Sequence, residues 1–275
     1  MISTPLDKEM ISQPELWRLT LLLKPGRLDV ALYPPVPREE MIWRSFEFDA
    51  AAPSPLRALE DVIYANPLLF SDFKQVDCLI DNCPAILLPA ALGPDDLALA
   101  YDRSIAVGSS DSLDDPEIYP SGCDSTVVVL RQQAEIKAFL LRTFYNIRFH
   151  SRLAALTSYL LSANDMPAKS ALYVFAREGR LTLIAADGPR LLLANDFSYE
   201  TETDALYYIL AVRRMLGLDP ATSPVLTSPV PQSFTSLLRQ HVDSVGSIPF
   251  PMLRFRTTQA TLQAPFDLII RSVCE

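Results

Sequence analysis

The chain contains the same turn twice. "LKPGRLDVALY", starting at Leu23, and "AREGRLTLIAA", starting at Ala176, share a basic-x-Gly-Arg-Leu core at an offset of 153 residues. At that offset Leu19 falls on Leu172, Leu21 on Val174, Lys24 on Arg177, Gly26 on Gly179, Arg27 on Arg180, Leu28 on Leu181 and Val30 on Leu183. Each copy reads as two strands around a tight glycine turn, with apolar residues two apart. The segments after the two hairpins also recur. "MIWRSFEF" (Met41–Phe48) and "RLLLAN" (Arg190–Asn195) supply a third strand. "LRALEDVIYANPLLF" and "ETDALYYILAVRRMLGL" (Glu202–Leu218) are helical, the latter with Leu206, Ile209, Leu210 and Arg213 on adjacent turns and Thr201 or Thr203 as N-cap. "VDCLID" (Val76–Asp81) and "PVLTSPV" then read as a fourth strand, and "QSFTSLLRQHV" as a second helix of the second copy.

A βββαβ unit recurring in order is an internal duplication. That unit begins a ribonuclease H-like half, and two such halves facing each other make the actin-like ATPase architecture, an α/β fold of mixed sheets flanked by helices. The halves are expected to span residues 1–160 and 161–275, with the boundary in "SANDMPAKS" and with Leu21 and Val174 at equivalent buried positions. Between them "AILLP" and "TVVVL" read as strands, "AEIKAFLLRTF" and "RLAALTSYLLSAN" as helices around a strand-like "NIRFH", and Arg103–Ser125 as a long surface loop or insertion.

Composition narrows the function classes. A chain of 275 residues is long enough for one large or two modest cores. It has no apolar run long enough to span a membrane, and its first residues lack the pattern of a secretory signal, so it is expected to be cytoplasmic. A formal charge of −9 argues against a broad nucleic-acid surface, which needs clustered Lys and Arg. Of the four cysteines, Cys78 and Cys83 have no matching second pair and no nearby His, so no zinc site is expected.

One block resembles a known family. "LLLANDFSYETETDALYYILAVRRMLGLD", with Asn195, Phe197, Tyr199, Thr203, Asp204, Tyr207, Tyr208, Leu216, Leu218 and Asp219, is similar to a bacterial family of unknown function, best populated in Bacteroidetes. "ILLPAAL" (Ile86–Leu92) and the terminal Cys274-Glu275 look similar too. A solved relative of that family has an actin-like ATPase fold. The resemblance implies this fold and carries no assigned activity; the likeness of the fold to pilus and secretion assembly proteins is analogy alone.

The turns speak against nucleotide chemistry. Active actin-like ATPases carry Asp-x-Gly in the first hairpin turn of each half, where the acid organises magnesium and the glycine lets backbone amides reach phosphate. Here the turns are Lys24-Pro25-Gly26-Arg27 and Arg177-Glu178-Gly179-Arg180, basic where the acid belongs, and Pro25 removes an amide. The eight glycines are nowhere closer than nine positions, so no phosphate loop is present. Lys24, Arg27, Arg177 and Arg180 are candidates for weak anion contacts at most. No cofactor, metal ligand or catalytic residue is expected. A two-metal nuclease would need converging carboxylates, and the nearest ones, Asp29, Asp187, Asp196 and Asp204, read first as structural, Asp187 in a hairpin turn and Asp204 as a first-turn helix acid. His150 and His241 accompany no nucleophile motif. Phe197, Tyr199, Tyr207 and Tyr208 suit core packing better than a ligand. The expectation is a non-catalytic protein that binds an unidentified protein partner. The alternative is a divergent ATPase, phosphotransferase or nuclease with relocated acidic ligands.

Overall fold

The computed structural model describes residues 4–36, 39–105, 115–162, 170–177, 179–253 and 255–273. The expected boundary segment and the terminal Cys274-Glu275 pair lie largely or wholly outside them. The first half runs β1 (Arg18–Lys24), β2 (Arg27–Tyr33), β3 (Ile42–Glu47), α1 (Pro55–Tyr64), β4 (Gln75–Ile80), β5 (Ala85–Pro89), α2 (Pro94–Ser104), β6 (Glu117–Pro120), β7 (Thr126–Leu130), α3 (Ala134–Thr143) and β8 (Ile147–Ser151). Helix α4 (Arg152–Ser162) leads to β9 (Ala171–Arg177), β10 (Arg180–Asp187), β11 (Arg190–Ser198), α5 (Glu202–Met215), β12 (Val225–Thr227), α6 (Gln232–Arg239) and β13 (Val245–Ser247). Two short helices, α7 (Gln259–Gln263) and α8 (Phe266–Arg271), come last.

The duplication is visible in the strand order. One sheet is β3-β2-β1-β4-β8 and the other β11-β10-β9-β12-β13. In each, the first three strands are antiparallel, and the fourth joins the hairpin strand in parallel and takes the fifth in parallel. Leu21 pairs with Val30, and Val174 with Leu183, at the offset read from the sequence, and all four are buried. Gly26 and Gly179 turn with φ of +70° and +76°, a region in which an L side chain is strained. The backbone carbonyl of each accepts a 2.8 Å bond from the third strand's continuation, Phe48 N–H in one half and Tyr199 N–H in the other.

The hairpin strands are apolar runs because both of their faces are buried. Leu19, Leu21 and Leu23 point with Leu59, Ile63, Ile136 and Phe139 into a core capped by α1 and α3. Leu172, Val174, Leu181 and Leu183 pack with Leu206, Ile209, Val212 and Phe234 of α5 and α6. The stripe on α5 is therefore Leu206, Ile209 and Val212, while Leu210 is only half-buried. The opposite faces look toward each other and share α4 and α8. Leu268 and Ile269 meet Leu22, Ala31, Tyr33 and Leu79, whereas Phe266 and Ile270 meet Tyr173, Phe175 and Leu226.

The loop expected across Arg103–Ser125 needs correction, because it is narrower than its composition suggests. Arg103 and Ser104 close α2, and Glu117–Pro120 is a strand in the small sheet β5-β7-β6; residues 106–114 lie outside the described residues. Glu117, Ile118, Tyr119 and Pro120 pair with Leu130 to Val127, so tertiary pairing overrides a loop-like composition. The α5 start agrees with the expectation. Thr201 Oγ1 accepts from Asp204 N–H at 3.2 Å, and Asp204 accepts from Thr201 N–H at 2.9 Å. Thr201→Ala should cost about 1 kcal/mol, read as a lower urea midpoint at unchanged denaturant dependence.

Candidate functional site

The two turns face one cleft of about 380 Å³, lined by Lys24 and Pro25 from one hairpin and by Arg177, Gly179 and Arg180 from the other. Three of the four sequence-derived candidates, Lys24, Arg177 and Arg180, are thus brought together. Arg27 is turned along its own strand. Lys24 Nζ sits 3.0 Å from Asp29 Oδ2 and Arg27 Nε 3.1 Å from Asp29 Oδ1, while Ser45 Oγ donates to the same carboxylate at 2.6 Å.

The second half builds this group with acid and hydroxyl exchanged. Asp29 on β2 lies opposite Ser45 on β3, and Thr182 on β10 lies opposite Asp196 on β11. Thr182 Oγ1 donates to Asp196 Oδ1 at 2.5 Å, and Arg180 Nη2 pairs with Asp196 Oδ2. Each half therefore holds an arginine, a carboxylate and a hydroxyl at equivalent places. Asp196 is the one sequence candidate acid that lines the cleft. Asp187 ends β10 and accepts from Ser170, and Asp204 serves the α5 cap.

The cleft floor comes from residues that sequence reasoning did not single out. Arg152, first residue of α4, donates from Nε to Asp267 Oδ1 of α8 at 2.7 Å and from Nη1 to Thr182 Oγ1 at 2.9 Å. Its guanidinium also lies 3.7 Å from Asp81 Oδ2 and 3.9 Å from Asp196 Oδ1. Arg180 Nη1 reaches across from the second hairpin to Asp81, 2.7 Å from its carboxylate and 2.9 Å from its backbone oxygen. Arg152, Asp81 and Asp267 are all buried. Burial alone would depress the Arg152 guanidinium, but Asp267, Asp81 and Asp196 hold it firmly charged. Burial also works against ionised Asp267, yet Arg152, Lys24 and Arg177 outweigh it and lower its pKa. At Asp81 burial wins and, with Asp267 and Asp196 adding to it against Arg152 and Arg180, raises the pKa to about 6. The only sequence signal for this group was an isolated charge in or at the end of three apolar stretches: Asp81 closing "VDCLID", which also holds Asp77, Arg152 opening "RLAALTSYLL", and Asp267 in "FDLII".

Chemically, the cleft is an interlocked ion network. Among the described residues no group of three His, Cys, Asp or Glu side chains is placed to hold a metal ion, and Cys78, Cys83 and Cys123 are free thiols. The aromatic block packs mainly as a core element: Phe197 and Tyr208 stack with centroids 4.8 Å apart, and Phe197, Tyr199 and Tyr208 back the α5 core, while Tyr207 is exposed. No helix among the described residues is long and apolar enough to cross a membrane.

Comparison with known proteins agrees with the duplicated sheets. A solved protein of Bacteroides thetaiotaomicron, with actin-like ATPase fold and unknown function, superimposes with a TM-score of 0.79 at 16% identity, covering 97% of this chain and 100% of its own. The chain has the actin-like ATPase fold. More distant matches are a PilM-PilN type IV pilus biogenesis complex (TM-score 0.47, 13% identity, 86% of this chain and 89% of that one) and the ethanolamine utilization protein EutJ from Carboxydothermus hydrogenoformans (0.46, 9%, 98% and 92%). Curated proteins return no match. The family model described as "Protein of unknown function (DUF3822)" matches residues 7–232, and the chain belongs to that family.

Proposed function

We propose that this chain is a non-catalytic actin-like-fold protein that acts as a protein-binding or scaffold module. The observation that carries the reading is Arg152: a buried guanidinium fills the floor of the cleft between two basic turns, and each nearby carboxylate already faces an arginine. A magnesium–nucleotide complex wants carboxylates turned to metal waters and open amides around the phosphates. Here Asp81, Asp196 and Asp267 are bound to Arg152 and Arg180, and Pro25 offers no amide. Arginine holds phosphate through its fork but does not orient a metal and an attacking water. The partner is read as protein, since a charge of −9 disfavours nucleic acid. Exposed aromatic side chains on the first half, Tyr64 stacked on Phe70 and the nearly bare Tyr145, are of the kind that protein contacts cover.

The test is thermal shift with millimolar ATP and magnesium, beside steady-state phosphate release with magnesium and with manganese. No shift and no release above background are expected. A ligand at 100 times its Kd would stabilise the fold by about 2.7 kcal/mol, which a melting curve resolves. Turnover that disappears in Asp81→Ala, Asp196→Ala or Asp267→Ala protein would instead make the chain an enzyme with relocated acidic ligands.

A further inference from the structure

Strand β8 is an edge of the first sheet: it pairs in parallel with β4 and with no strand beyond it. A ladder on one side engages only half of a strand's N–H and C=O groups. Among the described residues no backbone group bonds the outward half of β8. Natural sheets protect such edges by keeping them short or covered. The second sheet does both: β13, the counterpart of β8, has three residues, and β11 has Leu191 and Ala194 packed with Ala85 and Leu87 of β5. Strand β8 is five residues long. We propose that its edge takes up an extended segment of a partner protein as a sixth strand, one in which apolar and acidic residues alternate. The proposal rests on the reading of this chain as a protein-binding module and names the partner's chemistry.

The two faces of the edge differ, and alternate residues of an added strand would meet one or the other. Ile147 and Phe149 are half-buried against the core under α1 and α3, so apolar side chains added on that face would extend this core. Arg148 shares the other face with His150, whose Nε2 lies 3.0 Å from Asp77 Oδ1. Arg148 is exposed, and among the described residues no carboxylate pairs with it. An acidic residue opposite Arg148 would be attracted across the ladder. The start of the strand adds an anchor. A groove of about 120 Å³ is lined there by Phe70, Phe73, Phe144 and Tyr145, together with Val76, the ladder partner of Ile147. Tyr145 is 86% exposed. An aromatic or other large apolar residue beside the alternating stretch would fill that groove, while main-chain bonds hold the rest. A second copy of this chain fits poorly. Two β8 strands laid side by side would bring two Arg148 guanidiniums to one face and supply no acid to either.

The probe is a capped synthetic peptide of one phenylalanine followed by alternating glutamate and valine. Its controls carry lysine for glutamate, or a methyl group on every backbone nitrogen. Full-length 15N-labelled protein is titrated to millimolar peptide, and amide exchange is measured with and without it. Expected are shifts of the Tyr145–Ser151 amides, slower exchange at every second β8 amide, and neither change with the methylated control. The lysine peptide should bind about fivefold more weakly than the glutamate one, and Arg148→Glu should reverse that order. Unmoved β8 amides, undiminished binding of the methylated peptide, or an unaltered preference in Arg148→Glu would each overturn the proposal. So would outward β8 amides already protected in the free monomer, which would put a segment of this chain on the edge. A sedimenting dimer that protects them would put a second copy there and overturn it equally. Should Arg148→Glu melt early, Arg148→Gln, expected to abolish the preference, takes its place. The two readings fail separately: ATP turnover would overturn the non-catalytic one and leave strand addition standing, whereas unmoved β8 amides would do the reverse.

Discussion

Arg152→Ala is expected to lower stability at pH 7.5 by about 3–5 kcal/mol and the melting temperature by on the order of 10 °C. The reason is asymmetry. A buried ion network gains little net energy when complete, because desolvating its members costs nearly what their attraction returns. Removing one cation leaves its partners buried and uncompensated. Arg152 touches Asp267, Thr182, Asp81 and Asp196, so its loss takes a cation away from three carboxylates at once. Arg180 can still serve Asp81 and Asp196, but Asp267 loses the 2.7 Å bond that anchors it. The stranded acids gain an incentive to protonate, so the deficit should shrink as the pH falls toward 5. Urea unfolding at both pH values measures it. A loss below about 1 kcal/mol at pH 7.5, in the range of an exposed pair, would mean that water reaches the cleft floor and that the network is not buried in solution.

How much of this could be read from the residues depends on sequence distance. The hairpins were legible because a turn is local: Gly26 and Gly179 sit between strands whose two faces are both buried, so each strand is a plain apolar run. Repetition then gave the order of the third strand, helix and fourth strand, and hence the fold. Strand β6 was hidden, since Glu117, Ile118, Tyr119 and Pro120 owe their conformation to pairing with β7. The basic turn residues were found for the same local reason, and three of them line the cleft. Their partners were not, because Arg152 and Asp267 are 115 residues apart and Arg180 and Asp81 are 99 apart. The equivalence of Asp29 with Asp196 was masked as well: at the repeat offset Asp29 falls on Thr182, and only the cross-strand pairs show that acid and hydroxyl have changed places. Helix α8 gave no periodic signal. It is six residues long and buried throughout, so it has no polar face to set off an apolar one.

That last helix carries the other large effect. Leu268→Ala should destabilise the protein by about 2–5 kcal/mol, transfer and cavity terms together, although it lies only a few residues from the end of the described chain. Leu268 is fully buried, with its side chain against Leu22, Tyr33 and Leu79 of the first sheet. Its neighbours Phe266 and Ile270 face the second sheet, so α8 has a sheet on either side and little room to relax into a cavity. Polar contacts fix the same register: Tyr33 Oη donates to Leu268 O at 2.7 Å, and Arg271 Nη2 lies 3.0 Å from Asp77 Oδ1. Burial works against ionised Asp77, but His150, Arg271 and Gln75 outweigh it and lower its pKa to about 2. The stability Asp77 contributes is therefore present above the ordinary value of 3.8 and is lost as pH falls through about 2. Near neutral pH the ionic anchor is intact, and the Leu268 variant reports packing alone. Equilibrium urea unfolding at pH 7 measures the loss. A terminal helix that merely rested on the surface would fray independently, and Leu268→Ala would then leave the main transition unmoved. A single cooperative transition shifted to lower urea would instead mean that α8 belongs to the core of both halves.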